Sequence, residues 1–203
     1  MIVTFYNDRI NGDILSYQKR VFDYFGETIH QIKPNNWRGH PEAIDDYLQN
    51  YIGNWEYVVL IDVDCIPLDK NIIPEVISWI KNNVGIYALA QHANHMPDSI
   101  IYASAAFMGF SKKTYELLGK PLFSNRERGD CGVEFTHKAN ELGYAIKFMY
   151  PTSVEIPKWN LTENIKFGVG TTYDNRVYHL FEGRAGEINR FLRKCNEVLN
   201  GDI

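Results

Sequence analysis

Tyr57-Val58-Val59-Leu60-Ile61-Asp62-Val63-Asp64-Cys65-Ile66-Pro67-Leu68 is the stretch on which the fold turns. Its first five residues are continuously apolar, the look of a strand buried on both faces of a parallel sheet. Two acids follow at once. Carboxylates at the end of a hydrophobic strand carry a desolvation cost unless something compensates them, and a divalent cation does so. At an effective dielectric near 20, two unit charges ~4 Å apart interact by about 4 kcal/mol, and a doubly charged ion roughly doubles that for each carboxylate. Alternation along an extended segment sends Asp62 and Asp64 to one side and Val63 to the other, leaving backbone toward a ligand. The set suits Mg²⁺ or Mn²⁺ shared with a diphosphate, because hard cations prefer oxygen ligands and keep positions open for substrate. An Asp-X-Asp triplet also occurs as an ordinary turn; the buried strand ahead of it favours a site.

Outward from this stretch, apolar runs alternate with helical stripes. Ile2–Tyr6 reads as a strand, and Ile14–Phe25 as a helix with Ile14, Tyr17, Val21, Phe22 and Phe25 on one side. Gly26 stops it. A strand over Thr28–Ile32 and a helix over Pro41–Ile52 lead into the decisive run, with Pro41 suited to a first turn. Beyond it the pattern predicts a helix over Pro74–Asn82 and strands over Gly85–Ala90 and Ile100–Phe110. A helix over Ser111–Leu118 follows, with Ser111 as its cap. Then come a helix over Gly132–Leu142, a strand over Ala145–Tyr150, a last strand over Val177–Phe181 and a terminal helix over Ala185–Leu199. This order predicts an α/β fold with a mostly parallel central sheet flanked by helices. Ligands in such sheets gather beyond the carboxyl ends of strands, which points to the residues after Tyr6 and after Ile61.

The 203 residues suffice for one sizeable core, and no repeat or linker divides them. With 45% hydrophobic and 23% charged residues the chain is neither disordered nor fibrous. Its net charge of −4 argues against general nucleic-acid binding. No apolar run reaches ~18 residues, so no membrane span is expected. The opening Met1–Tyr6 lacks a basic region and reads as a strand, not a signal peptide. Cys65, Cys131 and Cys195 are odd in number and widely spaced, which suggests reduced thiols and a cytoplasmic setting.

The segment Tyr57–Leu68 resembles the DxD segment of GT-A-fold nucleotide-sugar glycosyltransferases, in which the motif follows an apolar strand and is often trailed by proline. The order of elements ahead of it is similar too. The resemblance implies a single GT-A-like, Rossmann-like domain over residues 1–203: a nucleotide-binding part at about 1–68, an acceptor-side part at about 85–183 and a C-terminal helix at about 185–199. It implies transfer of a sugar from a nucleoside diphosphate donor, UDP-linked by default, to a hydroxyl acceptor on a glycan or other small molecule. Metal ligands would be Asp64, Asp62 directly or through water, and His179, which sits in the apolar run Val177–Phe181 where such enzymes often carry a late histidine. Imidazole tilts the choice toward Mn²⁺ over Mg²⁺. Without the resemblance, a core histidine is the better account of His179.

Family members that invert the anomeric centre often carry an acidic pair at the start of a helix closing on Gly-Tyr. Here Asp130 precedes Cys131, Gly132 and Glu134, and the helix closes on Gly143-Tyr144, so the match is incomplete. Asp130 would be the catalytic base, or an ordinary helix cap, or both; a helix N-terminus would keep it ionised. Tyr6, Asn7 and Asp8 follow the first strand where the family holds base and ribose, although a polar turn needs the same residue types. Arg38 is a further base or ribose contact, and Asp62 and Val63 would meet the nucleotide as well. Lys158, Arg176 and Arg184 are candidates for the leaving diphosphate. Trp159 and Tyr173 could stack on an acceptor sugar or pin a loop. His92 and His95 read as surface or acceptor-side residues. Three rivals stand beside this: a haloacid-dehalogenase-like phosphohydrolase, whose Asp-X-Asp normally lies on the first strand; a nucleotidyltransferase, which would usually carry a Gly-rich loop after strand one where Asn7–Gly12 has a single glycine; and a non-catalytic nucleotide- or sugar-binding module.

Overall fold

The computed structural model describes residues 1–50, 55–93, 95–96, 100–181 and 186–203. The end of the helix expected over Pro41–Ile52, the start of that expected at Ala185, and Arg184 lie outside the described residues. In chain order the elements are β1 (Ile2–Phe5), α1 (Gly12–Tyr24), β2 (Ile29–Ile32), α2 (His40–Asn50), β3 (Tyr57–Ile61), β4 (Cys65–Pro67), α3 (Ile72–Asn82) and β5 (Gly85–His92). There follow β6 (Ile101–Ser111), α4 (Lys112–Leu117), α5 (Val133–Leu142), β7 (Ala145–Met149), β8 (Pro151–Asn160), β9 (Lys166–Tyr173), β10 (Val177–His179) and α6 (Ile188–Asn200).

Six strands form the central sheet in the order β2-β1-β3-β6-β5-β7. β6 runs antiparallel to both neighbours, and the other pairs are parallel. β3 lies inside this sheet because its residues are apolar on both sides. Val58 and Leu60 pack with Ala43, Ile44 and Leu48 of α2 and Phe135 of α5, while Val59 and Ile61 pack with Ile72, Ile73 and Val76 of α3. Burying a side chain of this size contributes roughly 1.5–3 kcal/mol, and β3 makes that gain on both faces.

The helices begin and end on local chemistry. Asn11 caps α1 by accepting from the Asp13 amide at 2.8 Å, which moves the start ahead of the expected Ile14. Ser111 caps α4 through the Thr114 amide, as expected. α6 packs on α1 through Phe191, Cys195 and Val198 against Ile14 and Val21.

A second sheet, β4-β10-β9-β8, is wholly antiparallel. Its strands β8 and β9 are missed by periodicity. β8 is an edge strand with prolines at 151 and 157, where proline is tolerated, and its pairing with β9 is interrupted near both. Gly168 and Gly170 dilute the strand signal of β9, yet Gly168 is required: a Cβ there would meet the Ile156 carbonyl oxygen at 2.3 Å. Trp159 and Tyr173 therefore lie on strands. Tyr173 is fully buried and contributes to the core, so it is not a sugar platform.

Among the described residues no helix is long and apolar enough to cross a membrane.

Candidate functional site

The site forms where β3 leaves the sheet. Asp62 to Cys65 is a turn closed by the Cys65 amide donating to the Asp62 carbonyl at 3.0 Å. The two acids thus converge through a turn and not through the alternation of an extended segment. α1 clamps this turn: buried Gln18 donates through Nε2 to the carbonyls of Asp62 at 2.7 Å and Cys65 at 3.1 Å. Gln31 donates in turn to Gln18 Oε1 at 3.2 Å. On the other side the Asp62 amide donates to the Ala106 carbonyl at 2.9 Å. β6 is free to reach there because it bulges where the β5 register shifts between Ala88 and Leu89.

The antiparallel register of β10 on β4 sets His179 opposite Cys65, and the Leu180 amide donates to the Asp64 carbonyl at 2.9 Å. His179 Nε2 then stands 3.3 Å from Asp64 Oδ1 and 3.5 Å from Asp62 Oδ2. One ligand atom from each of the three residues lies within 4.8 Å of the others. Adjacent ligands around an octahedral ion with ~2.1 Å bonds are roughly 3 Å apart. Two carboxylate oxygens and one imidazole nitrogen gathered this closely make a candidate group for a divalent cation. Asp62 Oδ1 also faces His40 Nε2 of α2 at 3.3 Å. Burial, reinforced by the charges of Asp62 and Asp64, pushes the Cys65 thiol well above its ordinary range, so this neighbour is an inert packing group.

These groups line a cavity of about 340 Å³ at the carboxyl ends of β1 and β3, the place predicted from strand order. Around the acids and His179 its wall includes Tyr6, Asn7, His40, Ala105, Arg126 and Asp130. The small residues of β6 leave room that larger side chains would fill.

Tyr6, Asn7, Asp62, Val63, Asp64, Asp130 and His179 are brought together here. Asn7 also serves the turn, its Oδ1 accepting from the Arg9 amide. Other expected residues are placed elsewhere. Asp8 is exposed and paired with Lys33, and Arg38 is turned to Asp46 at 2.7 Å. Arg176 is held by Asp69 and Glu75, and Lys158 lies over the Trp159 ring. Asp130 does not cap α5: that helix is capped by Gly132 in the left-handed region (φ 95°), and a Cβ there would meet the Ala103 carbonyl oxygen at 2.8 Å. Asp130 instead contributes its carbonyl to the Val133 amide, while its carboxylate faces the cavity and lies 3.8 Å from His95 Nδ1. Glu134 is committed to Arg128 by two hydrogen bonds of 2.8 and 2.6 Å, and this guanidinium holds its carboxyl below the ordinary range.

Arg126, Gln18 and His40 escape sequence reasoning. Arg126 and Arg128 are two residues apart, and nothing local tells the cavity arginine from the ion-paired one. Gln18 is a lone polar residue on a helical stripe, a pattern with many benign causes.

No family model matches the sequence, and no curated protein does. Solved structures do. The catalytic domain of Drosophila β1,4-galactosyltransferase 7, in complex with xylobiose, aligns with a TM-score of 0.52 at 15% identity, covering 91% of this chain and 71% of that one. A variant of that enzyme with manganese, UDP-Gal and xylobiose aligns at 0.50 and 14%, covering 93% and 73%. A mannosyltransferase from Pyrobaculum calidifontis, in complex with GDP-Man and Mn²⁺, aligns at 0.50 and 13%; the match covers 72% of this chain and 53% of that one, so this chain spans about half its length. The fold is that of the GT-A glycosyltransferases, with a candidate metal group at the DxD position.

Proposed function

We propose that this chain is a metal-dependent glycosyltransferase that moves a sugar from a nucleoside diphosphate sugar to a hydroxyl acceptor. The observation that carries this reading is the make-up of the cavity wall, which among the described residues sets three carboxylates, Asp62, Asp64 and Asp130, against one arginine, Arg126. A diphosphate entering such a cavity alone would be repelled. Asp62, Asp64 and His179 would hold a divalent cation, which would offset this excess of negative charge and supply Lewis-acid stabilisation of the leaving diphosphate. Mn²⁺ suits the mixed oxygen and imidazole set, and its presence in two of the matched structures supports the choice.

Tyr6, Asn7 and Val63 then sit where base and ribose would lie, residues 1–68 forming the donor half and 85–183 the acceptor half. Arg126 offers positive charge to the diphosphate as negative charge builds on it. Asp130 accepts the proton of the acceptor hydroxyl if the reaction inverts, and orients the acceptor if it retains. The three free thiols agree with a reducing, cytoplasmic setting.

The test is a thermal-shift screen of nucleoside diphosphate sugars with and without Mn²⁺. A metal-dependent rise with one donor, followed by release of its nucleoside diphosphate on adding an acceptor, supports transfer. If nucleoside diphosphates shift nothing while a phosphomonoester is hydrolysed, the phosphohydrolase account replaces it.

A further inference from the structure

His179 reaches Asp62 and Asp64 through Nε2, but its other ring nitrogen, Nδ1, is buried with no hydrogen-bond partner among the described residues. A metal-ligating histidine ordinarily has its ring set by a hydrogen bond from that second nitrogen. Among the described residues it is a ring contact, not a hydrogen bond from Nδ1, that bears on the plane of the imidazole. Phe181 supplies it: its ring centroid lies 3.9 Å from that of His179, with the planes 34° apart.

The backbone is bent to make this contact. Phe181 has φ 57°, in the left-handed region that a bulky residue rarely adopts. The preceding residue is tied on both sides: the Leu180 amide donates to the Asp64 carbonyl, and the Leu180 carbonyl accepts from the Gly170 amide at 2.8 Å. The chain therefore leaves β10 at a fixed point and turns the Phe181 ring back over the imidazole. Trp159 and Phe167 stand against the Phe181 ring at 5.7 and 5.8 Å between centroids, so it cannot retreat. A strained conformation kept by its surroundings is a mark of function more than of packing.

We infer that Phe181 is a positioning residue that holds the His179 imidazole with Nε2 toward Asp62 and Asp64, through a ring contact where Nδ1 has no hydrogen bond among the described residues. This rests on the metal reading above and adds to it a residue that touches no metal.

The experiment is titration with Mn²⁺ alone, followed by electron paramagnetic resonance of the free ion, on the full chain and four variants. Phe181→Gly relieves the left-handed strain and deletes the ring. Phe181→Leu fills the space without a flat face, and decides the matter if the glycine variant does not fold. Phe181→Tyr keeps the ring. His179→Ala removes the ligand. The glycine and leucine variants are expected to bind Mn²⁺ about tenfold more weakly, the usual size of a supporting-residue effect, with tyrosine at wild-type affinity. A purely structural Phe181 would lower the melting temperature of the leucine variant and leave Mn²⁺ affinity alone; that result overturns the inference by itself, as does equal weakening in the tyrosine variant. If the unaltered chain takes up no Mn²⁺, or His179→Ala takes up as much, the metal reading fails first and the role of Phe181 falls with it.

Discussion

Asp64→Asn is expected to make the metal-free protein more stable and the metal-bound protein less so. Asp64 is nearly buried, its side chain 11% exposed, and its ligand oxygen lies within 4.8 Å of that of Asp62. At that distance and an effective dielectric of about 20, two carboxylates repel by about 3 kcal/mol. Water around Asp62 and the His179 imidazole between the acids reduce this to about 1 kcal/mol. Asparagine keeps the shape and drops the charge, so in EDTA the variant should melt about 2–4 °C above the wild type for a chain of this size. With Mn²⁺ at about a hundred times its dissociation constant the wild type gains about 2.7 kcal/mol, or about 5–11 °C, and the variant gains almost nothing. The two proteins should therefore change order when metal is added. Differential scanning fluorimetry in EDTA and in Mn²⁺ reads both terms. A variant that melts below wild type in EDTA, or that keeps the full metal shift, would falsify the view that these acids form a strained cation cradle.

Three other outcomes are expected. Asp130→Asn should lower turnover about 10²–10⁴-fold with donor affinity intact, if Asp130 takes the acceptor proton; steady-state kinetics with separate donor titration shows whether the loss lies in kcat. Gly132→Ala forces a Cβ into the left-handed region and against the Ala103 carbonyl, costing about 1–3 kcal/mol in urea unfolding and displacing the loop that carries Arg126 and Asp130. Burial works against the charge of Glu75, but its hydrogen bonds from Arg176, Lys147 and Tyr87 outweigh it and bring its carboxyl down to about 2. A depressed carboxyl stabilises the fold above its unfolded value of 4.5 and loses that stabilisation as pH falls toward 2. Glu75→Gln should thus cost about 1–2 kcal/mol at neutral pH, after allowance for solvent screening. The gap should close on acidification, and equal gaps at neutral and acid pH would refute the assignment.

Much of the architecture is legible because it is local. A run such as Tyr57–Ile61 has one comfortable place, inside a sheet covered on both sides, and the structure puts it there. Ser111 caps its helix where the hydroxyl and the following pattern say it should. The β8–β9 hairpin is less legible, since an edge strand with two prolines carries no alternation and β9 draws its stability from partners it meets only when folded.

The candidate site divides in the same way. Two acids at the mouth of a buried strand are legible along the chain, because the desolvation cost of Asp62 and Asp64 can be judged from their immediate neighbours. The order of elements of an α/β sheet is legible there too. The tertiary structure supplied the geometry: His179, expected as a ligand only from the family resemblance, comes from the far end of the chain to the two acids through the register of β10 against β4. It alone decided that Arg126 enters the cavity while Arg128 is bound to Glu134, and that Gln18 clamps the turn bearing the acids. Burial leaves a periodic trace along a chain; the meeting of residues distant in sequence is set by strand register and loop path, and leaves none.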